Sequence, residues 1–117
     1  MIHVDASQNG REVTLEVGEV VEISLAENRT TGFRWEIKSQ AEPACALVNS
    51  TFEVAVSPLG KGGTHRWQFQ GERQGIGEIT LEYRRAWHPE APPRQSFRLN
   101  VNVRERGISP SSTARSE

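Results

Sequence analysis

The chain has 117 residues, 35% of them hydrophobic and 25% charged, with a formal net charge of −1. That is enough for one domain with a single modest core, and the lack of a basic footprint excludes nucleic acid as the main partner. The lone cysteine, Cys45, excludes an internal disulfide, and no apolar run reaches membrane-spanning length.

In chain order, Ile2 and Val4 fit a short opening strand, closed by Ser7-Gln8-Asn9-Gly10, where Asn-Gly marks a turn. Val13, Leu15 and Val17 alternate with polar residues across Arg11–Val17, the period-2 pattern of a half-buried strand. Gly18-Glu19 turns the chain into a second such strand, Val20–Ala26. Asn28-Arg29-Thr30-Thr31-Gly32 is a short polar connection, and Phe33, Trp35 and Ile37 resume the alternation in Phe33–Lys38. Gly32 tolerates a positive φ, while Asn28 and the threonines can bond nearby backbone, so two small hydroxyl residues sit at a tip or in an ordinary hairpin turn. Ser39 to Asn49 fits either a helical turn or an irregular crossing between sheets.

Further strands are expected at Thr51–Val56, with Phe52, Val54 and Val56 on one face, and at His65–Gln70, with His65, Trp67 and Phe69 on one side. Ile76–Arg84 and Ser96–Val103 complete the set. Ser57 to Thr64 is too rich in helix and strand breakers to be anything but a loop, and Arg85 to Arg94 is a loop with three prolines. Residues 104–117 read as a disordered tail behind a domain over 1–103. About seven short strands separated by regular turns predict an all-β fold, an antiparallel β-sandwich or barrel. If successive strands run antiparallel, the connections at 28–32, 57–64 and 85–94 share one end, and these are the three of unusual composition. One end of the domain therefore looks built for contact.

The chemistry expected there is recognition. Cys45 lies among alanines with no histidine nearby in sequence, which favours a buried thiol over a nucleophile. His3, His65 and His88 lack ligand spacing, so no metal or other cofactor is expected. Gly60-Lys61-Gly62-Gly63 lacks the phosphate-loop pattern and precedes no helix, and the acidic residues do not pair for acid–base work. Trp87, flanked by Arg84-Arg85 and prolines, has the residue chemistry of a binding hot spot, or else folds back over the end of the barrel. The glycines of 60–63 allow close backbone approach by a partner, with Leu59 as an apolar contact, or simply a flexible hairpin.

Asn28-Arg29-Thr30-Thr31-Gly32-Phe33-Arg34-Trp35 resembles the Asn-Pro-Thr-Thr-Gly-aromatic-x-Trp motif of the chagasin family of cysteine peptidase inhibitors. Leu59-Gly60-Lys61-Gly62-Gly63 resembles its Gly-x-Gly-Gly loop, and Tyr83-Arg84-Arg85-Ala86-Trp87 its Tyr-x-Arg-Pro-Trp motif. Order and spacing agree over roughly Val13 to Val103. The resemblance implies an immunoglobulin-like fold that blocks papain-like peptidases reversibly, without covalent chemistry. Arg29, Thr30, Thr31, Gly32, Leu59, Gly60, Lys61, Gly62, Gly63, Arg85, Ala86 and Trp87 would then face the peptidase, with Asn28, Phe33 and Trp35 bracing the tip. A monomer without enzymatic activity is expected. An immunoglobulin-like module that binds another protein or an extended peptide is the alternative, and a small hydrolase would need an exposed, ionised Cys45.

Two positions depart from the motif. Arg29 and Ala86 stand where it has prolines, which leaves both loops freer. On that basis Arg29→Pro is expected to preserve or tighten inhibition, unless Arg29 adds a contact to an acidic peptidase rim. The Met1-Ile2-His3-Val4 start shows no signal peptide. Cytoplasmic location and export after leader removal both fit.

Overall fold

Period-2 alternation becomes two stacked four-stranded sheets. The strands are β1 (Ile2–Val4), β2 (Glu12–Glu16), β3 (Val20–Glu27), β4 (Phe33–Gln40), β5 (Cys45–Val54), β6 (Gly63–Gly71), β7 (Gly75–Arg85) and β8 (Gln95–Arg104). One sheet runs β1-β3-β6-β5 and the other β2-β8-β7-β4. The computed structural model describes residues 1–54, 62–85, 87–88 and 90–105, Thr30 by its backbone alone.

The core lies between the sheets because each strand turns one set of alternate residues inward. Val21, Ile23, Leu25, Trp67 and Phe69 come from the first sheet, and Leu15, Ile79, Leu81, Phe97, Leu99, Val101 and Val103 from the second. Each such side chain, moved fully out of water, contributes about 1.5–3 kcal/mol before ordering costs are set against it. Conformational entropy therefore leaves the sandwich dependent on nearly every member of this set.

Several sequence expectations change. The all-β expectation holds, with eight strands among the described residues, but two of the pairings are parallel: β1 on β3 and β2 on β8. β1 and β2 each reach a sheet by running beside a strand that is not their hairpin partner, which counting of turns does not reveal. The opening turn is a 3₁₀ helix, Ala6–Gln8, capped by Asp5, whose carboxylate accepts from the Ser7 amide while Gln8 reaches back to the Asp5 amide. The unclear segment from Ser39 to Asn49 is mostly strand. β4 runs on to Gln40, Ala41 to Ala44 turn the chain through a cis Glu42–Pro43 bond, and β5 begins at Cys45 rather than Thr51. Val54, expected on one face with Phe52, is 64% exposed because β5 is a sheet edge, and Val56 lies outside the described residues. β8 ends at Arg104, and the segment from 106 onward also lies outside the described residues.

The most consequential change concerns residues 28–32. β3 and β4 are in different sheets, so their connection is not a hairpin. It crosses from one layer to the other through a 3₁₀ turn, Arg29–Thr31. The connections from β5 to β6 and from β7 to β8 join antiparallel neighbours within their sheets.

Leu99 is fully buried opposite Ile79 in the β7–β8 pairing. Leu99→Ala should cost about 2–5 kcal/mol, the range for deleting a buried leucine side chain. This would be read as a lower urea midpoint at an unchanged slope, and a loss below about 1 kcal/mol would argue against this packing.

Candidate functional site

The expected end of the domain is where the chain ends of both sheets meet. Glu27, the last residue of β3, lies opposite Gly63 at the start of β6, and Val54 at the end of β5 lies opposite the same glycine. In the other sheet Phe33 opposes Arg85, and Tyr83 opposes Gln95. A recess of about 350 Å³ at this end is bordered by Asn28, Gly62, Gly63, Tyr83 and Gln95, so residues beside all three connections share one hollow.

The 28–32 turn builds itself from its own polar groups. The Asn28 carbonyl accepts from the Thr31 hydroxyl at 2.7 Å and from the Thr31 amide at 3.3 Å. The Gly32 amide donates to the Arg29 carbonyl at 3.2 Å, and the Phe33 amide to the Thr31 hydroxyl at 3.3 Å. Thr30 is the central residue of the turn. Gly32 is required twice over. Its φ is +82°, and a Cβ there would lie 2.1 Å from the Trp87 indole. Trp87 thus lies across the tip, yet remains 62% exposed. Its indole folds back onto the tip and still presents most of its surface. Arg85 extends the same contact, its Nε donating to the Thr31 carbonyl at 3.3 Å.

Beneath the tip stands a column of rings. Trp35 is buried and packs on Tyr83 at 4.9 Å between centroids, and Tyr83 stacks on Phe33 at 5.2 Å. The guanidinium groups of Arg85 and Arg94 approach the Phe33 ring at 4.7 and 5.2 Å. Trp35 Nε1 donates to the Ala26 carbonyl at 2.8 Å, and the Asn28 amide donates to Tyr83 Oη at 3.0 Å, tying each sheet to the other. Asn28, Phe33 and Trp35 thus all make contacts between or beneath the chain segments that flank the turn. Gly62 lies beside Asn28 with φ +73°. Gly63 serves an internal need, since a Cβ there would lie 2.2 Å from the Glu53 carbonyl of β5. Leu59, Gly60, Lys61 and Ala86 lie outside the described residues.

Sequence reasoning misses one residue of this site. Glu27 is 1% exposed, and its carboxylate joins three other parts of the chain to β3. Its Oε1 accepts from the Trp35 amide of β4 at 2.9 Å and from His65 Nδ1 of β6 at 3.2 Å, while Oε2 accepts from Arg29 Nε in the tip at 2.7 Å. Arg29 also lies over the Phe52 ring of β5 at 3.8 Å. The signal is the phase of β3: with residues 21, 23 and 25 inward, residue 27 is inward too. With Glu27 ionised, His65 donates to it through Nδ1, and the other ring nitrogen, Nε2, is hydrogen-bonded to the Ser50 hydroxyl at 2.9 Å. Ser50, His65 and Glu27 have the connectivity of a nucleophile–base–acid chain. However, His65 is stacked on Trp67 at 3.9 Å and the other carboxylate oxygen is held by Arg29, so these bonds orient the imidazole.

Burial pushes the Glu27 carboxyl pKa up, but the Trp35 amide, Arg29 and His65 outweigh it and hold it below the ordinary value of 4.5. Because the native value is the lower one, the ionised carboxylate stabilises the fold above about 4.5, and that contribution fades as pH falls through the native value. Glu27→Gln, which does not titrate, should lose less of its urea midpoint between pH 7 and pH 3 than the unsubstituted protein; equal losses would contradict this. Cys45 is 2% exposed, and burial with nearby Glu72 pushes its thiol up to about 11. Alkylating reagent at pH 7 should leave it unmodified until denaturant is added, whereas labelling of the folded protein would reopen the hydrolase reading.

No group of three His, Cys, Asp or Glu among the described residues is placed to hold a metal ion. Comparison with known proteins places this geometry in context. Residues 14–101 match the model of the family described as chagasin family peptidase inhibitor I42. Amoebiasin-1 of Entamoeba histolytica is 36% identical over 100 residues, covering 81% of this chain and 92% of that protein. Chagasin of Trypanosoma cruzi is 33% identical over 106 residues, covering 86% and 94%. The crystal structure of a cysteine protease inhibitor of Entamoeba histolytica, EhICP2, superposes with a TM-score of 0.81 at 21% identity, over 88% of this chain and 95% of that one, a likeness of fold. The chain belongs to the chagasin family of peptidase inhibitors, proteins that are not enzymes.

Proposed function

We propose that this protein is a reversible, non-covalent inhibitor of papain-like cysteine peptidases that blocks the substrate cleft with a wedge formed by its β3–β4, β5–β6 and β7–β8 connections. The observation that carries this reading is the seat of Trp87 on Gly32. It joins Trp87, 62% exposed, to the 28–32 turn by direct contact. Family membership supplies peptidase inhibition, and the cysteine specificity is proposed from the motif resemblance together with a protein of the same fold, EhICP2, that is described as a cysteine protease inhibitor.

In this mechanism Thr30 and Thr31 lie over the catalytic cysteine. The internal hydrogen bonds of the turn keep its peptide groups in a 3₁₀ conformation rather than the extended one that a peptidase aligns for attack. The cleft is plugged and no bond is cut. The glycines at 60–63, preceded by Leu59 on the same connection, meet one wall of the cleft through backbone, in the manner of an added strand. Arg85 and Trp87 cover the other wall together with Ala86, while Gly32 lets the indole come down onto the tip. Arg29 flanks the plug with its guanidinium turned inward to Glu27. A wedge of this size would cover about 800 Å² on each partner, the usual extent of peptidase–inhibitor interfaces.

Titrating papain with the purified protein should abolish activity at one-to-one stoichiometry, with activity returning on dilution and the inhibitor intact by mass. Binding without loss of activity would favour a plain recognition module. Trp87→Ala should weaken inhibition by at least about 1–2 kcal/mol, the scale of an interface hot spot. An unchanged inhibition constant would remove the β7–β8 connection from the wedge.

A further inference from the structure

We propose that Glu27 is the positioning residue of the inhibitory tip, with Arg29 as its internal counter-ion. Together they replace the backbone restraint that proline gives in the motif with an ion pair between a buried carboxylate and a guanidinium at its solvent edge. This rests on the reading of residues 28–32 as the plug.

Glu27 is the last residue before the tip, and its side chain has no exposed surface. Through Oε1 it accepts from the amide of Trp35, eight residues on, and so closes the base of the connection across the two sheets. Through Oε2 it holds Arg29, the first residue of the 3₁₀ turn. One carboxylate thereby binds both the exit from the tip and its entry. The position of Arg29 is fixed on its other side by the Phe52 ring, and that of the carboxylate by His65. The two ties are coupled, because a charge with no access to water needs its partners. Loss of Arg29 leaves the Glu27 charge buried with, among the described residues, the Trp35 amide and His65 to offset it. The carboxylate must then move toward water, and the Trp35 amide goes with it or loses its acceptor.

This reverses the expectation drawn from the motif. Proline at position 29 would restrain one φ but delete the counter-ion. A turn held in its bound shape before encounter loses less freedom on binding, so the pair acts on affinity through order in the free protein.

The test is a cycle of Arg29→Pro, Glu27→Gln and the double variant. It is read by inhibition of papain and by hydrogen exchange of the free proteins, all at a temperature where each is folded. With Glu27 intact, Arg29→Pro should weaken inhibition about tenfold or more. Added to Glu27→Gln, where no buried charge needs neutralising, the same change should cost about threefold or less. In the free protein, Arg29→Pro and a further variant outside the cycle, Glu27→Ala, should speed exchange at Gly32 and Trp35 but not at Leu81 or Leu99 in the β7–β8 pairing. Equal losses in both backgrounds would overturn the proposal, as would preserved or tighter inhibition by Arg29→Pro with Glu27 intact, or exchange that rises everywhere alike. If the unsubstituted protein leaves papain active, the proposed function fails instead, and the exchange measurement still decides the role of Glu27.

Discussion

A carboxylate without access to water, held between two sheets, is the constraint on which this end of the molecule depends. Moving such a charge out of water is costly unless donors surround it, and Glu27 has donors from the tip, from β4 and from β6. None of the three can be withdrawn independently. The backbone leaving the first sheet, the turn and the backbone entering the second are therefore one electrostatic unit.

The rest of the site stands on this joint. Trp35, whose amide is bound to Glu27, carries Tyr83, which carries Phe33, on which Arg85 and Arg94 lie. Arg85 then returns to the tip through the Thr31 carbonyl, and Trp87 through contact with Gly32. Arg85 and Thr31, 54 positions apart in sequence, are joined by a closed circuit of short contacts. Arg85 and Trp87 are thus linked to the 28–32 turn by direct contact. Trp87 is 62% exposed while packed against Gly32.

Much of this is legible in the residues. Period-2 alternation locates the strands, because inward side chains must be apolar along the whole sandwich, and the breaker-rich segments locate the loops. The two parallel pairings are not legible, since β1 and β2 are short and their partners are chosen by which sheet has a free flank. β5 starts six residues earlier than its alternation suggests because Ala44-Cys45-Ala46 carries no strand propensity and the strand is secured by pairing with β6. The composition of 28–32 reveals a turn, but an identical composition serves a hairpin and a crossing between layers. Arg29 reads as a loosened proline position because its partner, Glu27, looks like one more scattered acid. Only its phase within β3 shows that it points inward.

The crossing from β3 to β4 also sets the span that its residues must bridge. Neighbouring strands in a sheet lie about 4.8 Å apart, whereas stacked sheets lie about 10 Å apart. The five residues from Asn28 to Gly32 are cut to the wider gap. Transplanted onto a β-hairpin they would be pinched to about half their natural separation. A host able to display this tip must supply two facing layers and an acid buried at the seam.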